Sequence, residues 1–433
     1  MLWLKNARVV DPAQGISGIR DVFVRDGRIL MIGRSIPTDR LTDGGEPETL
    51  DCAGKYLFPG LVDAHVHLRE PGQEYKEDIA SGSRAAVRGG VTSLICMANT
   101  SPVIDSQALV AFVARQGRRA GLAHVYPAAA VTKGMAGEEL TEMAELKASG
   151  AIAFSDDGRG VQNGEIMRLA LEYAKLTGCP VVSHCEDAAL AGKGVMRRGR
   201  ASAALGLAGM PGAAESAMAA RDVLLAGETG GKLHLAHVST RGTLAALRAG
   251  KAAGWDVTAE VNPHHLILTD EDVPLTNSAF KVNPPLPSAE DRDALLLALA
   301  DGTIDMLASD HAPHAWEEKA RPFAEAPFGM TALETALPAI WTYLVQPGKL
   351  SVERLVDAFA RRPAERFALE AGTLRPGMPA DMVLFDPEYQ EIVTASDMAS
   401  KSVNTPFLGR TLRGYPVKTW VGGHLVFERP AAV

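Results

Sequence analysis

Four cysteines in 433 residues, Cys52, Cys96, Cys179 and Cys185, are too few and too scattered for a disulfide framework or a paired-cysteine metal knuckle. No apolar run reaches the length that crosses a bilayer. Positive charge is short as well: 44 Lys and Arg stand against 52 Asp and Glu, a formal balance of -8. Nucleic acid and anionic membrane surfaces both call for a basic face, so neither is an expected partner. The opening Met1-Leu2-Trp3-Leu4-Lys5 lacks the basic-then-apolar pattern of a secretion signal. A cytoplasmic protein is expected. A small anionic substrate remains compatible, because a few buried arginines outweigh the global sign locally.

What is present is ordinary for a globular enzyme with a sizeable core: 46% hydrophobic and 22% charged residues. The length suggests one large domain and a smaller one. Residues 1–55 alternate apolar and polar positions around turns. Leu4–Val10 and Asp21–Ile32 read as antiparallel strands, with Asp26-Gly27 as a hairpin signal. Residues 366–433 behave alike, with strand-like Asp381–Asp386, Val417–Val421 and His424–Phe427. Neither end alone offers much core, so the two are expected to assemble one small β-sandwich.

Residues 56–365 have another rhythm. Apolar runs at Leu57–Val62, Thr92–Met97, Ala123–Ala129, Ala151–Ser155, Pro180–Ser183, Lys232–Ala236, Asp256–Val261 and Ile304–Ala308 alternate with amphipathic stretches. Among the latter are Glu138–Ala148, Glu165–Thr177 and Thr243–Ala253, followed by Gly150, Gly178 and Gly254 where a left-handed helix cap is wanted. Eight β/α units in about 300 residues predict a (β/α)8 barrel, whose doubly buried strands should be continuously apolar. A doubly wound open sheet is the competitor, but it gives no reason for polar residues to follow so many strands.

Active sites of such barrels lie at the C-terminal strand ends. His65 and His67 end the first run, and their two-residue spacing puts both rings on one side of a strand. Asp157, His184, His237 and Asp310 end later ones. Imidazole with carboxylate suits Zn2+. Four His and two Asp exceed one tetrahedral site and suffice for two metals, one on His65, His67 and Asp310, the other on His184 and His237, with Asp157 bridging. A lone buried His is more often a satisfied core group; six groups at strand ends are not explained that way. Asp63 lies one step deeper, with a supporting role expected. His234 is expected in the core, His264 and His265 in the pocket lining, and Cys185 as a small buried thiol.

The stretches Gly60-Leu61-Val62-Asp63-Ala64-His65-Val66-His67-Leu68-Arg69-Glu70-Pro71-Gly72, Phe154-Ser155-Asp156-Asp157-Gly158, His184-Cys185-Glu186-Asp187, His237-Val238-Ser239-Thr240, Pro263-His264-His265-Leu266, Lys281-Val282-Asn283-Pro284-Pro285-Leu286, Ser309-Asp310-His311-Ala312-Pro313-His314 and Phe328-Gly329-Met330-Thr331 carry a resemblance. The sequence resembles the amidohydrolase superfamily and, within it, bacterial dihydroorotases whose metals are bridged by aspartate. The resemblance implies that the six strand-end groups hold one or two Zn2+ per subunit. It implies that Asp310 also acts as the catalytic base. His67, Arg69, Asn99, Asn283 and His314, with the Phe328 and Gly329 backbone, would bind substrate.

The implied reaction is reversible hydrolysis of the cyclic amide of dihydroorotate. The implied partners are a second copy in a homodimer and an aspartate carbamoyltransferase. Hydantoinases, allantoinases and animal-type dihydroorotases carry a carboxylated lysine where this chain has Asp157. A single-metal deaminase would need an acid on strand six, and a non-catalytic scaffold subunit would have lost ligands. Two positions depart from the family pattern: Pro287 where Arg is common, and Ala98 where Pro is common. The Glu-, Lys- and Pro-bearing stretch His314–Pro327 has the composition of a mobile lid.

Overall fold

The computed structural model describes residues 1–36 and 45–430. The stretches 37–44 and 431–433 of the two terminal segments lie outside it. Eight parallel strands follow one another in chain order: Leu61–Val66, Val91–Cys96, His124–Ala129, Ala153–Phe154, Val181–Ser183, Leu233–Leu235, Val257–Val261 and Met306–Leu307. A parallel bridge between Val66 and His311 brings the last strand back to the first, and His67 N–H donates to the His311 carbonyl at 2.8 Å. This is the expected barrel. Its first strand sits four residues later than the apolar run suggested. Tyr56–Pro59 belongs to the terminal sheet instead, pairing with Leu2–Asp11 and antiparallel to Met382–Ile392.

Alternation explains the split at Gly60. Leu57 points into the core of the terminal sheet, whereas Phe58 packs with the barrel. Met382 and Leu384 go with Leu57, Val383 and Phe385 with Phe58. Burying each of these side chains contributes about 1.5–3 kcal/mol, so the sheet is fixed to the barrel through one face and holds its own core with the other. Strands from both ends of the chain form this eight-stranded mixed sheet, and Glu48–Asp51 adds a strand the sequence reading lacked. Its far turns meet: Ala380 N–H donates to the Gly27 carbonyl at 2.8 Å and Gly423 N–H to Ala380 at 3.0 Å. Asp26 and Gly27 both have positive φ, as the tight hairpin requires.

Two of the three amphipathic stretches form helices close to expectation, Gly164–Ala174 and Arg241–Ala252. The third begins only at Met143. Residues before it are tied back to residues 130–133, where the Thr141 hydroxyl donates to the Ala130 carbonyl and Lys133 N–H donates to Glu139. Pairing with the segment after the third strand replaces the first helical turn there. No helix among the described residues is long and apolar enough to cross a membrane.

Candidate active site

The barrel strands deliver the polar groups to one rim. His65 is the penultimate residue of the first strand, His184 directly follows the fifth, and Asp157, His237 and Asp310 stand two or three residues beyond theirs. Asp157 lies at the centre. Its Oδ1 is 3.3 Å from His65 Nε2, 3.4 Å from His184 Nδ1 and 3.3 Å from His237 Nε2, and its Oδ2 is 3.4 Å from His67 Nε2. Asp310 Oδ1 faces His67 Nε2 at 3.2 Å and His65 Nε2 at 3.8 Å. All six groups anticipated as ligands are therefore brought together, and all six are buried. They fall into overlapping sets: His65, His67 and Asp310 form one, and His65, Asp157 and His237 another. His184 joins the second through a 2.9 Å approach to His237.

Ring orientations show what such a cluster can hold. His65 Nδ1–H donates to Glu260 Oε1 at 2.7 Å, which leaves Nε2 carrying the lone pair. That Nε2 is buried and has no hydrogen-bond partner. His67 Nδ1–H donates to Asn99 Oδ1 at 2.8 Å, again turning Nε2 and its lone pair to the carboxylates. Lone pairs converging on carboxylates repel unless a cation lies between them. Spacings of 3.2–3.4 Å match the edges of a tetrahedron about 2.0–2.1 Å from ion to ligand. The donor set fits a divalent metal. Protons on the rings serve the same end as an ion: against the effect of burial, His65, His184 and His237 hold the Asp157 carboxyl well below the usual range. Asp310 is lowered likewise, chiefly by His67 and His65 against its burial.

Around the cluster opens a cavity of about 340 Å³ lined by His67, Arg69, Asn99, Asp157, Gly158, His184, His237, Asn283, Asp310, Ala312, His314 and Pro327–Gly329. Every residue anticipated for substrate contact borders it. Arg69 donates Nε–H to the Pro313 carbonyl at 3.1 Å, and its NH2 lies 3.3 Å from His314 Nε2. No carboxylate pairs with it among the described residues, and burial pulls its guanidinium down to about 10. Asn283 donates to Glu186 at 2.7 Å, while its Oδ1 is buried without a partner. His314 donates Nε2–H to the Phe328 carbonyl at 2.8 Å, and burial beside Arg69, Lys76 and Lys319 drops its imidazole to about 3. Asn99 is spoken for on its oxygen by His67 and directs its amide to the Asp157 carbonyl at 3.4 Å.

Of seven non-glycine residues with positive φ among the described residues, three stand on this rim. Arg69, His237 and Asp310 all have φ between 31° and 59°, a region non-glycine residues seldom occupy and one that recurs at functional sites.

Some residues fall elsewhere. His264 and His265 do not line the cavity. His265 lies behind it, bonded to the Pro284 carbonyl at 2.9 Å, and His264 sits 3.4 Å from the Asn262 amide. Asp63 accepts the Ser309 and His65 amides with Oδ1 at 3.0 and 3.2 Å, fastening the first strand to the eighth. The stretch after His314 contains a short helix, Trp316–Lys319. Glu260 was missed by sequence reasoning. It is fully buried and joins His65 to His234, whose Nε2 lies 3.0 Å from Oε2. The signal was a charged residue inside the strand run Val257–Val261, because a buried charge needs a partner.

The dihydro-orotase-like family matches residues 54–243 and the amidohydrolase family residues 177–427. The dihydroorotase of Pelotomaculum thermopropionicum is 49% identical over 427 residues, covering 99% of this chain and 98% of that relative. A dihydroorotase of Anaeromyxobacter dehalogenans is 47% identical over 434 residues, covering 100% and 99%. Among solved structures, the L-hydantoinase (dihydropyrimidinase) from Arthrobacter aurescens superposes with a TM-score of 0.86 at 28% identity, covering 100% of this chain and 97% of that one. Full-length identity of this order, on a barrel whose rim carries the His–Asp cluster, places the chain in the dihydroorotase family of the amidohydrolases.

Proposed function

We propose that the chain is a cyclic amide hydrolase that interconverts dihydroorotate and N-carbamoyl-aspartate in pyrimidine biosynthesis, using one or two Zn2+ held by His65, His67, Asp157, His184, His237 and Asp310. The observation that carries the substrate assignment is the buried Arg69, a charge without a carboxylate partner beside the cluster. An uncompensated buried guanidinium is costly, and a planar carboxylate on the ligand relieves that cost through a bidentate contact.

Bound metal supplies Lewis acidity that makes water nucleophilic near neutral pH. The protein's own groups do the rest. Asp310 directs Oδ1 at the histidines, while Oδ2 has the Asn262 amide at 3.5 Å. Oδ2 takes the proton from the attacking water and passes it to the departing ring nitrogen, a base-then-acid role contributing about 10²–10⁴-fold. Asn283 Oδ1 accepts from a ring N–H, and the Phe328–Gly329 backbone and His314 close the opposite wall.

The reading extends to a cytoplasmic setting, which suits four unpaired cysteines. It also extends to a homodimer and to association with an aspartate carbamoyltransferase. Absorbance-monitored turnover of dihydroorotate, with hydantoin, dihydrouracil and allantoin alongside, tests the substrate. Dihydroorotate should be preferred by orders of magnitude; turnover of a carboxylate-free ring with none of dihydroorotate overturns the assignment.

A further inference from the structure

Lys319 ends the short helix after His314 and is buried at 8% exposure, with no carboxylate within ion-pair distance among the described residues. Its Nζ instead donates to three backbone carbonyls: Pro327 at 2.9 Å, Gly329 at 2.9 Å and Lys281 at 3.4 Å. Three acceptors match the three protons of an ammonium. Burial and the nearby Lys281 pull that ammonium down to about 7, with Glu318 opposing. A methionine of similar length would fill this space but donate to none of these carbonyls, so the ammonium is what ties them together.

The three carbonyls belong to two loops that border the cavity. Gly329 N–H donates to the Lys281 carbonyl at 2.9 Å, joining them directly. Between the two carbonyls held by Lys319, the Phe328 carbonyl is held by His314 at 2.8 Å. Three successive carbonyls are thus tied down by side chains, with the Asn404 amide adding a second bond to that of Gly329 at 3.1 Å. The Phe328 N–H has no partner among the described residues and is free for a ligand oxygen. Asn283, two residues beyond Lys281, follows the same anchor. Gly329 fits with φ 131°; a Cβ there would come within 3.0 Å of His314 Nε2, so the wall tolerates little displacement.

We propose that Lys319 is a positioning residue for substrate: its ammonium clamps the Phe328–Gly329 and Lys281–Asn283 loops in the arrangement that contacts the cyclic amide. The substrate named here rests on the preceding functional reading. The clamp acts on binding, since it touches neither the His–Asp cluster nor Asp310.

The test uses the full-length, metal-loaded chain with Lys319→Met and Lys319→Arg. Lys319→Met should raise KM for dihydroorotate about 10-fold or more while kcat changes by less than about 3-fold, the pattern of lost uniform binding. Metal content should be unchanged, and Lys319→Arg should recover part of the loss. Hydrogen exchange of the Gly329 amide, which donates to the Lys281 carbonyl, should accelerate about 10-fold without substrate in Lys319→Met, with no change in the peptide holding His65 and His67. Unaltered KM and unaltered exchange in a folded Lys319→Met overturn the clamp, as does a kcat loss with KM unchanged. If Lys319→Met does not fold, Lys319→Arg decides by the same KM and exchange readouts, a wild-type value in both overturning the proposal. If the wild-type chain ignores dihydroorotate, the substrate reading fails, while the exchange result still decides whether Lys319 holds the wall.

Discussion

Glu260 Oε1 lies 2.7 Å from His65 Nδ1, and its other oxygen lies 3.0 Å from His234 Nε2, with all three side chains at 0% exposure. The carboxylate fixes which nitrogen of His65 keeps its lone pair and aims that nitrogen at Asp157 and Asp310. A carboxylate behind a ligating histidine orients the ring and raises its basicity.

Glu260→Gln keeps the shape but loses the charge and one acceptor. Metal affinity, measured by competition with a chromophoric chelator, should fall about 10–100-fold. Wild-type affinity in a folded variant would show that Glu260 serves the core alone.

Arg69→Lys retains a cation without the planar fork. KM for dihydroorotate should rise about 10–100-fold, with a smaller change in kcat, because an ammonium cannot bind a carboxylate bidentately. An unchanged KM would move the substrate carboxylate to another group.

Asp310→Asn should lower turnover by about 10²–10⁴-fold while leaving the fold intact. Asp157→Ala should instead release metal, since its carboxylate stands within 3.4 Å of all four histidines. Near-wild-type activity in either variant removes the role assigned to that residue.

His124 on the third barrel strand reaches Asp381, which precedes the terminal strand Met382–Ile392, with Nε2 3.0 Å from Oδ2. That hydrogen bond raises the imidazole above its ordinary 6.5 against the effect of burial. A raised histidine contributes stability that is fully present below the unfolded-state pKa and lost as pH rises through the folded-state one. His124→Gln should therefore melt below the wild type near pH 6 and coincide with it near pH 9. The ring is partly solvated, so the effect is at most ~1 kcal/mol, or a few degrees in Tm. A difference that grows with pH would contradict the pairing.

Strand-end histidines and aspartates were legible because barrel topology turns a one-dimensional pattern into a rim. His65 and His67 needed only the two-residue period, and Asp157, His184, His237 and Asp310 only the rule that polar groups terminate apolar runs. The run Leu57–Val62 misled because alternation is the same in both sheets that share it; only the contacts of Leu57 and Phe58 show where one ends. The roles of Glu260 and Lys319 were hidden for a different reason. Their partners are His65, 195 residues away, and carbonyls on loops whose approach no local pattern encodes. The pocket role expected of His264 and His265 failed because a strand-end position does not say whether a ring faces the mouth or the layer behind it.

The account turns on the six rim groups holding a metal that the hydrolysis requires. The most direct measurement strips the purified chain with a chelator, restores Zn2+ in steps, and follows bound metal and dihydroorotate turnover together. Turnover should be absent from the stripped chain and rise with occupancy to a plateau at one or two ions per subunit. Full turnover by chain shown to be metal-free contradicts the account.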